Sequence, residues 1–107
     1  MAGSGAIIVY VPDAPTNVLN DPLITNENQI GLVWSEGASD GGTVVIDYRI
    51  TYDQSIGTYV TLIDGLTANL YTTGVALTSG RTYKFKVESR NTVGYSLEST
   101  EISILAA

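Results

Sequence analysis

Short runs rich in Val, Ile, Thr and Tyr recur along the chain between clusters of Gly, Asp, Asn and Ser, and no stretch sustains the spacing of an amphipathic helix. This punctuation predicts an all-β antiparallel sandwich or barrel. Seven strands are predicted, over residues 16–20, 29–35, 45–52, 58–62, 70–73, 81–91 and 98–105. Side chains alternate between the faces of a strand, so the pattern also assigns an inside and an outside. In QIGLVWS the inward set is Ile30, Leu32 and Trp34. In DYRITYD it is Tyr48, Ile50 and Tyr52, with Asp47, Arg49, Thr51 and Asp53 outward. In RTYKFKVESRN it is Tyr83, Phe85 and Val87, with Lys84, Lys86, Glu88 and Arg90 outward.

That last segment interleaves cations with aromatics, as a surface that grips a polyanion does. The period of two separates them: rings face the core and charges face water, so no surface offers both stacking and cations. Pairing the third and sixth strands antiparallel with Arg49 opposite Glu88 also sets Asp47 by Arg90, Thr51 by Lys86 and Asp53 by Lys84. Every charged pair in that register is complementary. The formal charge of −6, from 11 acidic and 5 basic residues, adds repulsion from nucleic-acid phosphates and anionic lipid. Neither nucleic acid nor membrane insertion is expected as a partner.

A chain of 107 residues suits one domain whose core forms without metals or cross-links. The absence of Cys and His removes disulfides, thiol nucleophiles, the usual zinc ligands and the commonest general base near neutral pH. No catalytic, cofactor-binding or metal-ligating residues are expected, and the chain reads as non-enzymatic. The oxygen-rich stretches EGASDGG (36–42), NDP (20–22) and NENQ (26–29) lack the ligand spacing of a calcium loop and read as turn chemistry. Residues 1–11 divide into MAGSG, read as a cloning remnant, and the apolar run AIIVYV, too short for a signal-peptide core or a membrane span.

From VPDAP onward the residues resemble a fibronectin type III domain, over 12–107. The marks come in order: the proline-rich lead-in, Trp34 on the second strand, GG before the third, DYRITY, and then LTSGRTYKFKVESRNTVGYS. The resemblance implies a seven-stranded Ig-like sandwich of two sheets, with three and four strands. It implies that Tyr83 is a tyrosine corner bonded to backbone near Leu77. Trp34, Tyr48, Ile50, Phe85 and Val87 become core residues, and Gly94 a turn residue with positive φ. Ser79 and Val44 stand where the family usually has proline.

Family members share a scaffold and differ in loops and edges, so contacts are sought there. Val44 at the mouth of one loop, and Arg90, Thr92, Val93 and Tyr95 in and beside another, are the partner-contact positions. Val44 is also readable as a buried loop anchor. Ile7, Ile8, Val9, Tyr10 and Val11 are either a first strand ordered on its own domain or an edge that pairs with another chain, giving a homodimer through 6–11. The resemblance implies a structural spacer and protein-interaction module of a larger, tandem protein with neighbouring modules as partners. An extracellular or cell-surface setting and cell adhesion are the family's expectation. Two alternatives stand beside it: an engineered, self-assembling scaffold, and an accessory module of a secreted carbohydrate-active enzyme, for which Tyr59, Tyr71 and Tyr95 are the exposed aromatics.

Overall fold

Alternating apolar positions along the chain become two antiparallel sheets closed face to face. The computed structural model describes residues 8–107. Its strands are β1 (Thr16–Asn20), β2 (Gly31–Ser35), β3 (Asp47–Tyr52), β4 (Val60–Leu66), β5 (Leu70–Thr72), β6 (Thr82–Arg90) and β7 (Ile102–Leu105). The sheets have the orders β1-β2-β5 and β4-β3-β6-β7, three and four strands as expected. Between them lie Ile30, Leu32, Trp34, Tyr48, Ile50, Tyr83, Phe85, Val87, Ile104 and Ala106, all buried. Burying a side chain the size of Leu or Phe contributes about 1.5–3 kcal/mol, so this layer holds the sheets together. Trp34 meets Tyr48 edge-on, with ring centroids 5.4 Å apart and planes at 72°. Tyr52 is only partly buried and stacks on Tyr83 and Phe85.

The expected register of β3 on β6 is found: Asp47 opposite Arg90, Arg49 opposite Glu88 and Thr51 opposite Lys86. Asp53 also lies by Lys84, its N–H donating to the Lys84 carbonyl at 3.1 Å. Three outward assignments need correction, because Asp47, Asp53 and Glu88 are 5%, 4% and 8% exposed, Glu88 being held by Arg49. Asp47 is covered by the Arg90 guanidinium that it binds. The Asp53 carboxylate turns back to accept from the backbone N–H groups of Ser55 (2.9 Å) and Lys84 (3.0 Å). It is a turn cap, and Lys84 reaches Glu101 instead.

Other boundaries move for local reasons. The turn after β3 places Gln54 and Ser55 in the left-handed region, at φ 57° and 62°, and β4 starts at Val60, beyond the predicted 58. It continues past 62 because Gly65, at φ 66°, absorbs a bulge between the pairs Tyr48–Leu66 and Ile50–Ile63. Strand β7 starts at Ile102 and not at 98. Upstream of it, serine hydroxyls substitute for strand carbonyls: Ser89 N–H donates to Ser96 Oγ and Val87 N–H to Ser99 Oγ, both at 2.9 Å. Ser96 and Ser99 return their own N–H groups to the carbonyls of Ser89 and Val87. Leu97 and Glu98 bow outward between these anchors and stand exposed.

Tyr83 is a tyrosine corner: its hydroxyl accepts the Thr78 N–H at 2.8 Å, one residue beyond Leu77, which packs against the core. Tyr83→Phe keeps the ring and strands that N–H. It should cost about 1–3 kcal/mol in urea unfolding, with the unfolding slope unchanged.

Candidate interaction surfaces

The outer face of the four-stranded sheet collects four of the five basic side chains, and each meets a carboxylate. Arg49 grips Glu88 with two parallel bonds, Nε to Oε1 at 2.9 Å and Nη2 to Oε2 at 3.0 Å. Arg90 holds Asp47 the same way, with Nε to Oδ1 at 2.8 Å. These bonds raise both guanidinium pKa values above their ordinary range. Lys86 Nζ lies 3.5 Å from Glu98, and Lys84 Nζ lies 4.0 Å from Glu101. Tyrosines cover the cations: the Arg49 guanidinium sits 3.9 Å from the Tyr95 ring centre, and the Lys86 ammonium 4.3 Å from that of Tyr59. The Tyr59 hydroxyl donates to Glu101, and burial followed by that bond pushes its pKa up. The four ion pairs cancel one another, and Asp64 of β4 adds a further negative charge near Arg49 and Arg90, so the face carries no unpaired cation among the described residues.

Two expected contact residues, Arg90 and Tyr95, are thus committed within the sheet. Tyr95 forms a bridge to Arg90 and its ring lies under Arg49. Tyr59 and Tyr95 lie on this face, while Tyr71 packs against the core from β5 in the other sheet, so the three do not form a row. Ser96 belongs with Asn91 and Gly94 to the turn that the resemblance implies, but the hydrogen bonds of Tyr59, Ser96 and Ser99 are not legible in the sequence. The Ser-x-x-Ser spacing beside a strand was their one visible signal.

The second surface is the end of the sandwich where residues 8–13, the loop 36–46 and the turn 91–95 meet. Asn91 organises it. Its Oδ1 accepts the N–H groups of Val93 (2.9 Å) and Gly94 (3.3 Å). Its Nδ2 donates to the carbonyls of Tyr10 (2.7 Å) and Asp40 (2.8 Å), tying the incoming chain to the loop. The Tyr10 N–H donates to Gly41 O and the Asp13 N–H to Ser39 O, both at 2.9 Å, while the Ser39 N–H returns a bond to the Asp13 carboxylate. Gly41 is required here: at φ 83°, a Cβ on it would fall on the Tyr10 carbonyl oxygen and lie 2.8 Å from that of Val11. Gly94 has φ 155°, with Val11 beside it.

Of the edge-pairing residues, Ile7 lies outside the described residues, and Ile8, Val9, Tyr10 and Val11 run along this loop. The side chains of Ile8, Tyr10, Val11, Val44, Ile46 and Val93 all stand exposed at this end. Val44, 72% exposed, is not the buried loop anchor that one reading expected. The adjacent Val45 packs against the core instead, because the alternation starts one residue later than the apolar run suggests. Thr92 is exposed beside Val93. Asp13, Glu36 and Asp40 are the carboxylates here, and each takes a hydrogen bond, from Ser39, Tyr48 and Gly42 respectively. Burial and the nearby Glu36 carboxylate push the Tyr48 hydroxyl up to about 12.

A sequence model of the fibronectin type III domain matches residues 13–104. Among solved structures, a crystal structure of several titin domains superposes with a TM-score of 0.81 at 24% identity, over 92% of this chain and 33% of that one. The twitchin kinase region from C. elegans gives 0.77 at 23% identity, over 91% and 17%. A Fn3-like protein from Clostridium thermocellum gives 0.65 at 26% identity, over 88% and 92%. The chain therefore spans a third or less of the titin and twitchin structures that it matches.

With its cations paired, the sheet face should not retain the protein on immobilised heparin at about 0.15 M salt, where unpaired cations would be felt. Tyr95→Ala removes the ring beneath Arg49 and should lower stability by on the order of 1 kcal/mol in chemical denaturation.

Proposed function

The chain belongs to the fibronectin type III family, a module found beside other modules in multidomain proteins, and from that premise we propose that it works as a non-enzymatic spacer with a stiff joint at its N-terminal end, where it also meets protein partners. The clamp on residues 8–13 carries this reading. A loosely attached linker lets neighbouring domains swing, which is the default for modules with small interfaces. Here Tyr10 gives both of its backbone groups to its own domain, and Asp13 bonds Ser39 through backbone and side chain. A module joined ahead of residue 8 would be held in one direction.

Protein contact at the same end is supported by the exposure of Val44, Thr92 and Val93 on loops that the scaffold holds in place. A catalytic reading finds no support in the side chains here: the carboxylates of Asp13 and Asp40 cap turns, and that of Glu36 accepts from Tyr48.

Gly41→Ala tests the joint, since it adds both a steric clash and a left-handed strain of about 1–2 kcal/mol. Residues 8–11 should gain fast motion in backbone NMR relaxation, and the Tyr10 amide should exchange faster, while the β3 and β6 amides stay protected. Unchanged dynamics at 8–11 would reject the stiff joint.

A further inference from the structure

The clamp uses only one edge of the incoming chain. In an extended segment, the N–H and C=O of one residue point to one side and those of its neighbours to the other. Pro12 biases Val11 toward extended backbone, and both polar groups of Tyr10 point into its own domain. The trans peptide units on either side of Tyr10 then turn the Val9 carbonyl and the Val11 N–H away, and neither has a hydrogen-bond partner among the described residues, while the Val11 carbonyl stays beside Gly41. Beside this free edge stand exposed apolar side chains and the carboxylates of Asp13, Glu36 and Asp40.

The sheets' own edges are poorer templates. Strand β1 is broken by Asn17 at φ 53° and a register shift, β4 by the Gly65 bulge, and β5 and β7 have only three and four residues. Bulges and short edge strands obstruct a further strand. The incoming segment carries none of these obstacles.

We infer that Ile8–Val11 is a docking edge for an extended peptide that alternates apolar and basic residues, pairing with the Val9 carbonyl and the Val11 N–H and setting its cations against the three carboxylates. Charge selects this occupant. Among the described residues none of those carboxylates has a basic partner, whereas four of the cations are taken by other acids on the sheet face. A second copy pairing through the same segment would bring six carboxylates together with no cation between them. The inference rests on the loop end being this module's contact surface.

The test is a backbone NMR titration of the whole chain with the peptide Lys-Val-Lys-Val-Lys-Val, and with Glu-Val-Glu-Val-Glu-Val as its charge-reversed control. The basic peptide should shift amides of residues 8–11, 39–44 and 91–94, and the acidic one should shift none. Val11→Pro removes one outward N–H, leaves the Tyr10 bonds in place, and should weaken binding about tenfold. Asp13→Asn with Asp40→Asn keeps both turn caps and should weaken it as well. Equal binding by Val11→Pro, shifts that extend to the opposite end around Asp21 and Glu27, or no shifts at all would overturn the proposal. So would concentration-dependent dimerisation in sedimentation that blocks the peptide, which assigns the edge to a second copy. A failed stiff joint reads out separately, as mobile residues 8–11 in the peptide-free chain.

Discussion

The pairing of β3 with β6 is the constraint on which the rest of the molecule depends. These are the central strands of the larger sheet, and they supply Tyr48, Ile50, Tyr83, Phe85 and Val87 to the core. A slip of one residue would turn that set to solvent and bring the charges inside. The two Arg–carboxylate forks resist the slip from the other face, because Asp47–Arg90 and Arg49–Glu88 close together in only one register. Ion pairs this close to solvent add little stability, so their weight lies in specifying alignment. Apolar burial and charge matching select the same arrangement from opposite sides of one sheet.

That arrangement has a consequence for binding. Strand β6 holds its cations in a line, the feature that makes the sequence look suited to polyanions, and the fold neutralises them one by one. The negative charge that remains sits on loops, edges and ends, which is also where the scaffold leaves apolar side chains exposed. The proposed contacts of this module therefore lie at its ends. Asn91 links the central sheet to the entering chain: it follows β6 directly, closes the turn to Gly94 and grips the chain at Tyr10. The rigid centre is thereby tied to the segment that enters at Tyr10.

Much of this was legible in the amino-acid sequence, because it rests on local periodicity. Alternation in three segments assigned the core and the outer face, and charge complementarity assigned the register between strands 39 residues apart at Arg49 and Glu88. The motif around Tyr83 located the corner to within one residue, since a tyrosine held in a strand reaches only the turn just before it.

What the tertiary structure alone decided are the places where side chains replace backbone and where distant loops touch. Strand β7 begins late because the hydroxyls of Ser96 and Ser99 take the acceptor's role, and no propensity records that substitution. Asp53 looked like a surface charge because its position in the alternation is outward, yet two N–H groups draw it inside. Gly41, Asn91 and Tyr10 are separated by 31 to 81 residues and meet only once both sheets are closed. Sequence patterns report on neighbours a few residues apart. The clamp on Tyr10 is made of groups that folding brings together.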